Sequence, residues 1–296
     1  MGLLNKILNI FNLNNSVINY SPYSFSKIDI WERCPYRFKL KYIDKVKTSF
    51  EPNLALLKGS FLHHCIEYST EGKEYQTNEV FTEEEKKKAI EILTKFTKSE
   101  LYKLYLSANG KHEVKFGILK ENNIYKADSF DNINSIFKGK IDYVFQRDDE
   151  LYIVDWKSGK YTEENEQKFD QLLLYAIWGF LKYPKIDTIN CSFVYMEHLK
   201  ENMNSFHRKD LKHYIQTYIQ YINKIESDQL FEKIESDQCE YCEYKKFDYC
   251  NEKVKIREDI EVDLNTLNEK QLFNLMKLGE IDAITYYGYS QELKNK

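Results

Sequence analysis

Apolar positions change their spacing several times along the chain, and each change marks an element. Leu3, Leu4, Ile7, Leu8 and Phe11 recur at helical spacing, which predicts an N-terminal docking helix or arm within residues 1–20. After Phe81, Thr82 and Glu85 form a capping box, and Ile90, Leu93, Phe96, Leu101 and Leu104 continue on one helical stripe. One charged amphipathic helix is expected there, its Glu and Lys run being a solvated face. Between Phe137 and Lys157 the period falls to two: IDYVF, an acidic RDDE, then LYIVDW. That is the pattern of two strands joined by a tight turn. Helical character returns from Phe169 to Leu181 with an almost continuous apolar surface, expected to lie on that sheet. Ile189 to Met196 reads as a further strand and Lys209 to Ile225 as a further helix. A second capping box, Thr266 with Glu269, precedes Leu272, Leu275 and Met276.

Composition narrows the class. With 296 residues, 42% apolar and 30% charged, the chain is globular and long enough for one elaborated domain. Glycine (10) and proline (4) are scarce against tyrosine (24) and phenylalanine (18), which favours a mixed helix and sheet fold rich in elements. No repeat of 20 to 50 residues is visible. No apolar run approaches the roughly 18 residues that cross a bilayer, and no basic segment with a cleavage site opens the chain. A cytoplasmic protein without a membrane partner is expected. The formal net charge of -4 argues against a broadly basic nucleic-acid surface, so any phosphate-binding surface must be local.

The hairpin carries the first chemical signal. If Asp148 and Asp149 form the loop, Arg147 pairs with Glu150 and the same register sets Asp142 opposite Asp155, with Cβ atoms roughly 4.5 to 5.5 Å apart. Facing carboxylates repel, and a divalent cation between hard oxygen ligands relieves them. Lys157 lies two residues beyond Asp155 and shares its face. A one-residue slip would separate the two aspartates, so this reading depends on the turn.

The six cysteines carry the second. Cys239, Cys242 and Cys250 supply three thiolates within one short segment, whereas Cys65 and Cys191 lie in apolar contexts as small buried hydrophobes. Without a secretory signal, clustered cysteines read as metal ligands.

These residues carry a resemblance. GKIDYVF followed by VDWKSGK resembles the PD-(D/E)XK nuclease superfamily, specifically its RecB-like branch. GSFLHHCIE, residues Gly59 to Glu67, resembles that branch's G-x-x-x-H helix and selects His63 rather than His64; Gln171 and Tyr175 match its Q-x-x-x-Y helix. Residues 24–42, SFSKIDIWERCPYRFKLKY, resemble its N-terminal CP-x-R-F signature. The resemblance implies a restriction-endonuclease-like mixed β-sheet core flanked by helices, occupying residues 21–255, with a C-terminal helical extension over 256–296. It implies Mg2+ or Mn2+ held by His63, Asp142, Asp155 and the Trp156 carbonyl, with Lys157 orienting a water or stabilising developing charge. Gln171 and Tyr175 either position DNA or pack the helix.

In members with an iron-sulfur cluster one N-terminal cysteine joins three C-terminal ones. This implies a [4Fe-4S] subdomain formed by segments 24–42 and 236–252 through Cys34, Cys239, Cys242 and Cys250. Seven residues separate Cys242 from Cys250, more than is usual in that branch, so a zinc site stays the alternative. Either metal would tie the two ends of the chain together across about 200 residues.

Trp31, Arg33, Tyr36, Arg37, Lys39 and Lys41 near Cys34 are either core or a stacking and phosphate surface for single-stranded DNA. Lys115, Lys138 and Lys140 are further candidate phosphate contacts. With no GxxxxGK[ST] motor motif, the expectation is a DNA exonuclease of recombination, repair, phage DNA processing or CRISPR adaptation, acting on free ends alone or with a helicase or other partner. A catalytically inactive DNA-binding or scaffolding module of the same fold is the alternative, and RNA cleavage stays open.

Overall fold

The computed structural model of the chain describes residues 20–48, 54–70, 82–159, 161, 170–246, 249 and 250. The expected N-terminal helix, the Thr266 capping box and the C-terminal extension lie outside these residues. The described residues form two compact units.

The larger unit is built on a six-stranded sheet in the order β2-β1-β3-β4-β5-β6. Its strands are β1 (Lys111–Glu121), β2 (Ile124–Asp128), β3 (Phe137–Arg147), β4 (Glu150–Lys157), β5 (Thr188–Tyr195) and β6 (Lys200–His207). Neighbours run antiparallel except β4 and β5, which are parallel and joined by a crossover helix. The β1–β2 hairpin turns at Asn122 and Asn123, both at positive φ (50° and 63°), a conformation that asparagine tolerates and that matches strand twist. The β3–β4 turn likewise has Asp148 at φ 53°.

Helices cover both faces. On one lie α3 (Leu54–Thr70), α4 (Glu83–Thr97) and α5 (Glu100–Leu106), which follow α1 (Phe25–Arg33) and α2 (Pro35–Phe38) in the chain. Phe61, Leu62, Cys65 and Ile66 of α3 and Ala89 and Phe96 of α4 pack with Tyr143, Phe145, Val154, Trp156 and Val194 of the sheet. The Thr82–Glu85 capping box forms as expected. The single helix expected through Leu104 is instead broken, because Ser99 accepts a hydrogen bond from Tyr102 N at 3.2 Å and caps a second helix.

The opposite face carries α6 (Asp170–Lys182), in which Leu172, Leu174, Tyr175, Ala176, Ile177, Trp178 and Phe180 are all buried. Gly179 lets this helix lie close to the sheet: a Cβ there would stand 2.7 Å from Ile189 Cδ1 and 3.1 Å from Leu151 Cδ2. Helix α7 (Leu211–Ser227) buries Tyr218, Ile222 and Ile225, and the Tyr218 ring meets Phe137 edge-on at 5.4 Å.

The smaller unit comprises residues 33–48 with 226–246, 249 and 250. Cys34 precedes α2, which runs into a π turn, Lys39–Ile43; a 3-10 turn, Asp237–Tyr241, leads to α8 (Glu243–Lys246). Tyr36, Leu40, Cys242 and Tyr244 make its core, with Phe38 stacked on Phe231 at 6.2 Å.

Filling the space above Gly179 tests the close approach of α6. Gly179→Leu should cost about 1–3 kcal/mol through overpacking, read as a lower urea midpoint with an unchanged slope; an undiminished midpoint would show that the helix stands further off.

Candidate active site

Alternation along β4 assigns the site to one face. Trp156 turns into the core, meeting Phe96 at 5.6 Å and Tyr105 at 5.5 Å edge-on. Asp155 and Lys157 therefore turn the other way, toward α6. The Lys157 ammonium lies 2.6 Å from Asp155 Oδ2, donates to Gln171 Oε1 at 2.9 Å, and sits over the Phe193 ring at 4.5 Å. Gln171 Nε2 donates to Asp155 Oδ1 at 2.7 Å and lies 2.7 Å from the Tyr175 hydroxyl. That hydroxyl is 3.1 Å from Asp155 Oδ1 and 3.0 Å from the Lys140 carbonyl. Gln171, Tyr175 and Gly179 recur every four residues on α6, so the glycine's close approach also brings the two polar side chains onto Asp155.

The register differs from expectation at one pair. The β3–β4 ladder runs from Arg147↔Glu150 to Tyr143↔Val154 and stops there. Asp142 is thus not a ladder partner of Asp155; its Oδ2 instead accepts from the Trp156 backbone N–H at 2.8 Å. A side chain has taken the place of the next backbone rung, which turns the Asp142 carboxylate toward the end of β4.

His63 Nδ1 stands 3.4 Å from Asp142 Oδ1. One turn earlier in α3, a Cβ on Gly59 would stand 2.9 Å from Ser158 Oγ, just past Lys157. The glycine leaves room for the Ser158 hydroxyl where α3 passes the end of β4, one turn before His63. His64 bonds back to the Ser60 carbonyl at 2.8 Å, on the exposed side of the same helix.

A fourth participant was not foreseen. Donor atoms of His63, Glu113 and Asp142 lie within 4.8 Å of one another, the one such trio of His, Cys, Asp or Glu among the described residues. Glu113 falls between the pairs His112↔Tyr143 and Val114↔Ile141, and so opposite Asp142. Its φ is 53°, a left-handed backbone that costs a non-glycine residue of order 1 kcal/mol or more and gathers at functional sites. It also forms an ion pair with Lys140. The legible signal was a carboxylate opposite a carboxylate, available only to a reader who had recognised β1.

Electrostatics follow from this crowding. Burial pushes the Asp155 carboxyl upward, against the opposing charge of Lys157 and with the added repulsion of Asp142. Burial works to lower His63, yet the hydrogen bond and charge of Asp142, joined by Asp155, hold it above its ordinary value. The Asp142 charge thus adds to both shifts, with burial at Asp155 and against it at His63.

The cysteines belong to the smaller unit. Cys34, Cys239, Cys242 and Cys250 line one cavity of ≈ 90 Å³ together with Arg33, Arg37 and Lys233. Burial raises the Cys250 thiol, with charge from Cys242, Cys34 and Cys239 adding to it and Lys233 opposing. Cys65 and Cys191 are buried, as expected. Of the expected DNA contacts, Tyr36 is 4% exposed within the unit's core, and Arg37 is engaged by Glu243 at 2.6 Å. Trp31, Arg33, Lys39 and Lys41 remain at least partly accessible, although Lys39 pairs with Asp44.

Comparison with known proteins agrees with this geometry. The profile of the PD-(D/E)XK nuclease superfamily matches residues 22–250, and the chain belongs to that superfamily. Its six-stranded mixed sheet flanked by helices carries the motif residues at the end of β4. No curated protein sequence matches the chain. Among solved structures, it is similar to a candidate exonuclease from Eubacterium rectale at 16% identity, covering 80% of this chain and 91% of that one, with a TM-score of 0.46. It is also similar to SSO0001 at 13% identity, covering 82% and 92%, with a TM-score of 0.35.

The Tyr175 hydroxyl bridges a buried carboxylate and a backbone carbonyl. Tyr175→Phe should therefore destabilise the metal-free protein by about 1–3 kcal/mol, measured by denaturation in EDTA; equal stability would mean that water replaces the hydroxyl freely.

Proposed function

We propose that the protein is a metal-dependent deoxyribonuclease of the RecB-like branch, hydrolysing phosphodiester bonds at free DNA ends. The observation that carries this reading is the convergence of His63, Glu113 and Asp142 beside the Asp155–Lys157 pair. That donor set, one imidazole with carboxylate oxygens, suits Mg2+ or Mn2+. His63, Asp142, Asp155 and the Trp156 carbonyl would hold the ion, with Glu113 as a further carboxylate. When bound, the ion supplies charge that polarises the phosphate and lowers the pKa of a water.

The chain's own residues do the remaining work. Gln171 and Tyr175 fix the Asp155 carboxylate, and Gln171 with Phe193 holds the Lys157 ammonium at the rim, 31% exposed, where it can orient a water or meet developing charge. Preorganisation matters because a donor already in place costs no reorganisation during the reaction. The sequence order Gly59, His63, Asp142, Asp155, Lys157, Gln171, Tyr175 supports the RecB-like assignment. Roles in recombination, repair, phage DNA processing or CRISPR adaptation, with a motor or other protein partner, belong to the same reading.

The smaller unit supports a second part of the proposal, a [4Fe-4S] cluster on Cys34, Cys239, Cys242 and Cys250. The four cysteines line one cavity of ≈ 90 Å³, and sulfur ligation suits an iron-sulfur cluster and zinc alike. Either would secure this unit by cross-linking residue 34 to the 239–250 segment.

Two measurements test these assignments. With Mn2+ or Mg2+, the protein should degrade end-labelled DNA, and Lys157→Ala or Asp142→Asn should lower the rate at least about 100-fold; binding without cleavage by the parent would favour an inactive DNA-binding module. Anaerobically purified protein should absorb in the visible and contain iron, and both should fall in Cys250→Ser; colourless, zinc-loaded protein would replace the cluster with zinc.

A further inference from the structure

A row of lysines leads away from the metal-ligand cluster. Lys140 precedes Asp142 by two residues on β3 and pairs across the sheet with Lys115 of β1; Lys138, two residues earlier still, pairs with Gly117. Alternate residues share a face, so Asp142, Lys140 and Lys138 form a line about 13 Å long. Lys140 is held by Glu113. Lys115 and Lys138 meet no carboxylate among the described residues. Their ammonium groups lie instead toward the ring of Phe130, 6.0 and 5.3 Å from its centroid.

Phe130 belongs to the loop between β2 and β3, and that loop is braced. A Cβ on Gly117 would meet the Ser129 carbonyl at 2.4 Å and Ser135 Oγ at 2.5 Å, so only glycine lets the loop lie on β1. Ser135 is fully buried, Ser135 N–H donates to the Asn132 carbonyl at 3.2 Å, and Ile136 N–H donates to the Ile118 carbonyl at 2.8 Å. The same loop presents Ile133 at 84% exposure. A half-exposed aromatic ring beside two cations that meet no carboxylate among the described residues offers an apolar face and positive charge together. A polyanion with flat apolar faces would satisfy all three groups.

We infer that Phe130, Lys115 and Lys138 form a subsite for single-stranded DNA on the approach to the catalytic cluster. A base stacks on the Phe130 ring, and the ammonium it displaces joins the other on the flanking phosphates. Duplex bases keep their faces covered by their neighbours, so the ring selects an unpaired strand. This inference rests on the nuclease reading for its place in the reaction, although strand binding itself does not require cleavage.

The test separates the two. Full-length parent, Phe130→Ala, Phe130→Trp and Lys115→Ala/Lys138→Ala are compared in three assays. These are hydrolysis of a thymidine p-nitrophenyl phosphodiester with Mn2+, hydrolysis of a single-stranded oligonucleotide with Mn2+, and anisotropy of a labelled single strand or duplex with Ca2+. The small ester should be cleaved at the parent rate by every variant. KM for the oligonucleotide should rise about tenfold in Phe130→Ala and in the double variant, with kcat little changed, and Phe130→Trp should restore it. The preference for single strand over duplex in anisotropy should disappear in Phe130→Ala. Parent-like strand affinity in both alanine variants, or equal damage to the small ester and the oligonucleotide, would overturn the subsite. A parent that cleaves neither substrate would refute the nuclease reading, while anisotropy would still decide the subsite.

Discussion

Repulsion among carboxylates from three adjacent strands is the constraint around which this fold is organised. Glu113 on β1 and Asp142 on β3 approach one another beside the partly buried imidazole of His63, and the charge of Asp142 also bears on Asp155 of β4. Two unit charges about 4 Å apart repel by roughly 4 kcal/mol at the effective dielectric of a protein surface, whereas a typical hydrogen bond returns about 1 kcal/mol. The Lys157 ammonium beside Asp155 and the Lys140 ammonium beside Glu113 offset much of that repulsion, and the Trp156 N–H, the Gln171 amide and the Tyr175 hydroxyl add hydrogen bonds. Burial, with the added charge of Asp142, raises the Asp155 carboxyl, and against burial the Asp142 carboxylate raises His63, so both groups lie above their ordinary values. A divalent cation among such oxygen donors would relieve more of the repulsion.

Holding such a cluster demands a rigid frame, and β4 supplies it by using its two faces differently. Val154 and Trp156 anchor the strand in a core of aromatic rings under α3, α4 and α5. Asp155 and Lys157, one residue out of phase, are thereby fixed toward α6. A glycine marks each helix contact: Gly59 of α3 faces the Ser158 hydroxyl, and Gly179 lets α6 lie close on Leu151 and Ile189. The motif residues His63, Gln171 and Tyr175 each lie one or two helical turns from one of these contacts. The spacing glycine-to-histidine and glutamine-to-tyrosine is therefore a record of where each helix touches the sheet.

The sequence disclosed the parts of this arrangement that depend on local rules. Thr82 and Glu85 made their capping box, the alternation from Phe137 to Lys157 became the β3–β4 hairpin, and Arg147 paired with Glu150. Extrapolating that register to Asp142 failed by one rung, because a carboxylate that competes for the Trp156 N–H ends the ladder, and no pattern of apolar residues announces such competition. Glu113 was hidden because β1 mixes lysine, histidine and glycine with its apolar positions. β6 was hidden because an edge strand needs few apolar residues; in KENMNSFH only Phe206 is buried. Tyr36 and Arg37 carried the composition of a nucleic-acid contact, yet the smaller unit uses them for its own core and its own ion pair with Glu243. Composition specifies what a side chain can do; only the packing decides which of its uses is taken.

The net charge of -4 had seemed to oppose a polyanionic substrate. Its distribution resolves the conflict. Part of the acidic excess is concentrated at the cluster of Glu113, Asp142 and Asp155, where a divalent ion would reverse the local sign. Several cations lie where acids do not cancel them, as Lys115 and Lys138 do around Phe130. A phosphate backbone responds to charge within about one Debye length, roughly 8–10 Å at physiological salt, so it senses this local field and not the total. Along β3 (Phe137–Arg147) that field changes sign within a few residues, from Lys138 and Lys140 to the Asp142 carboxylate.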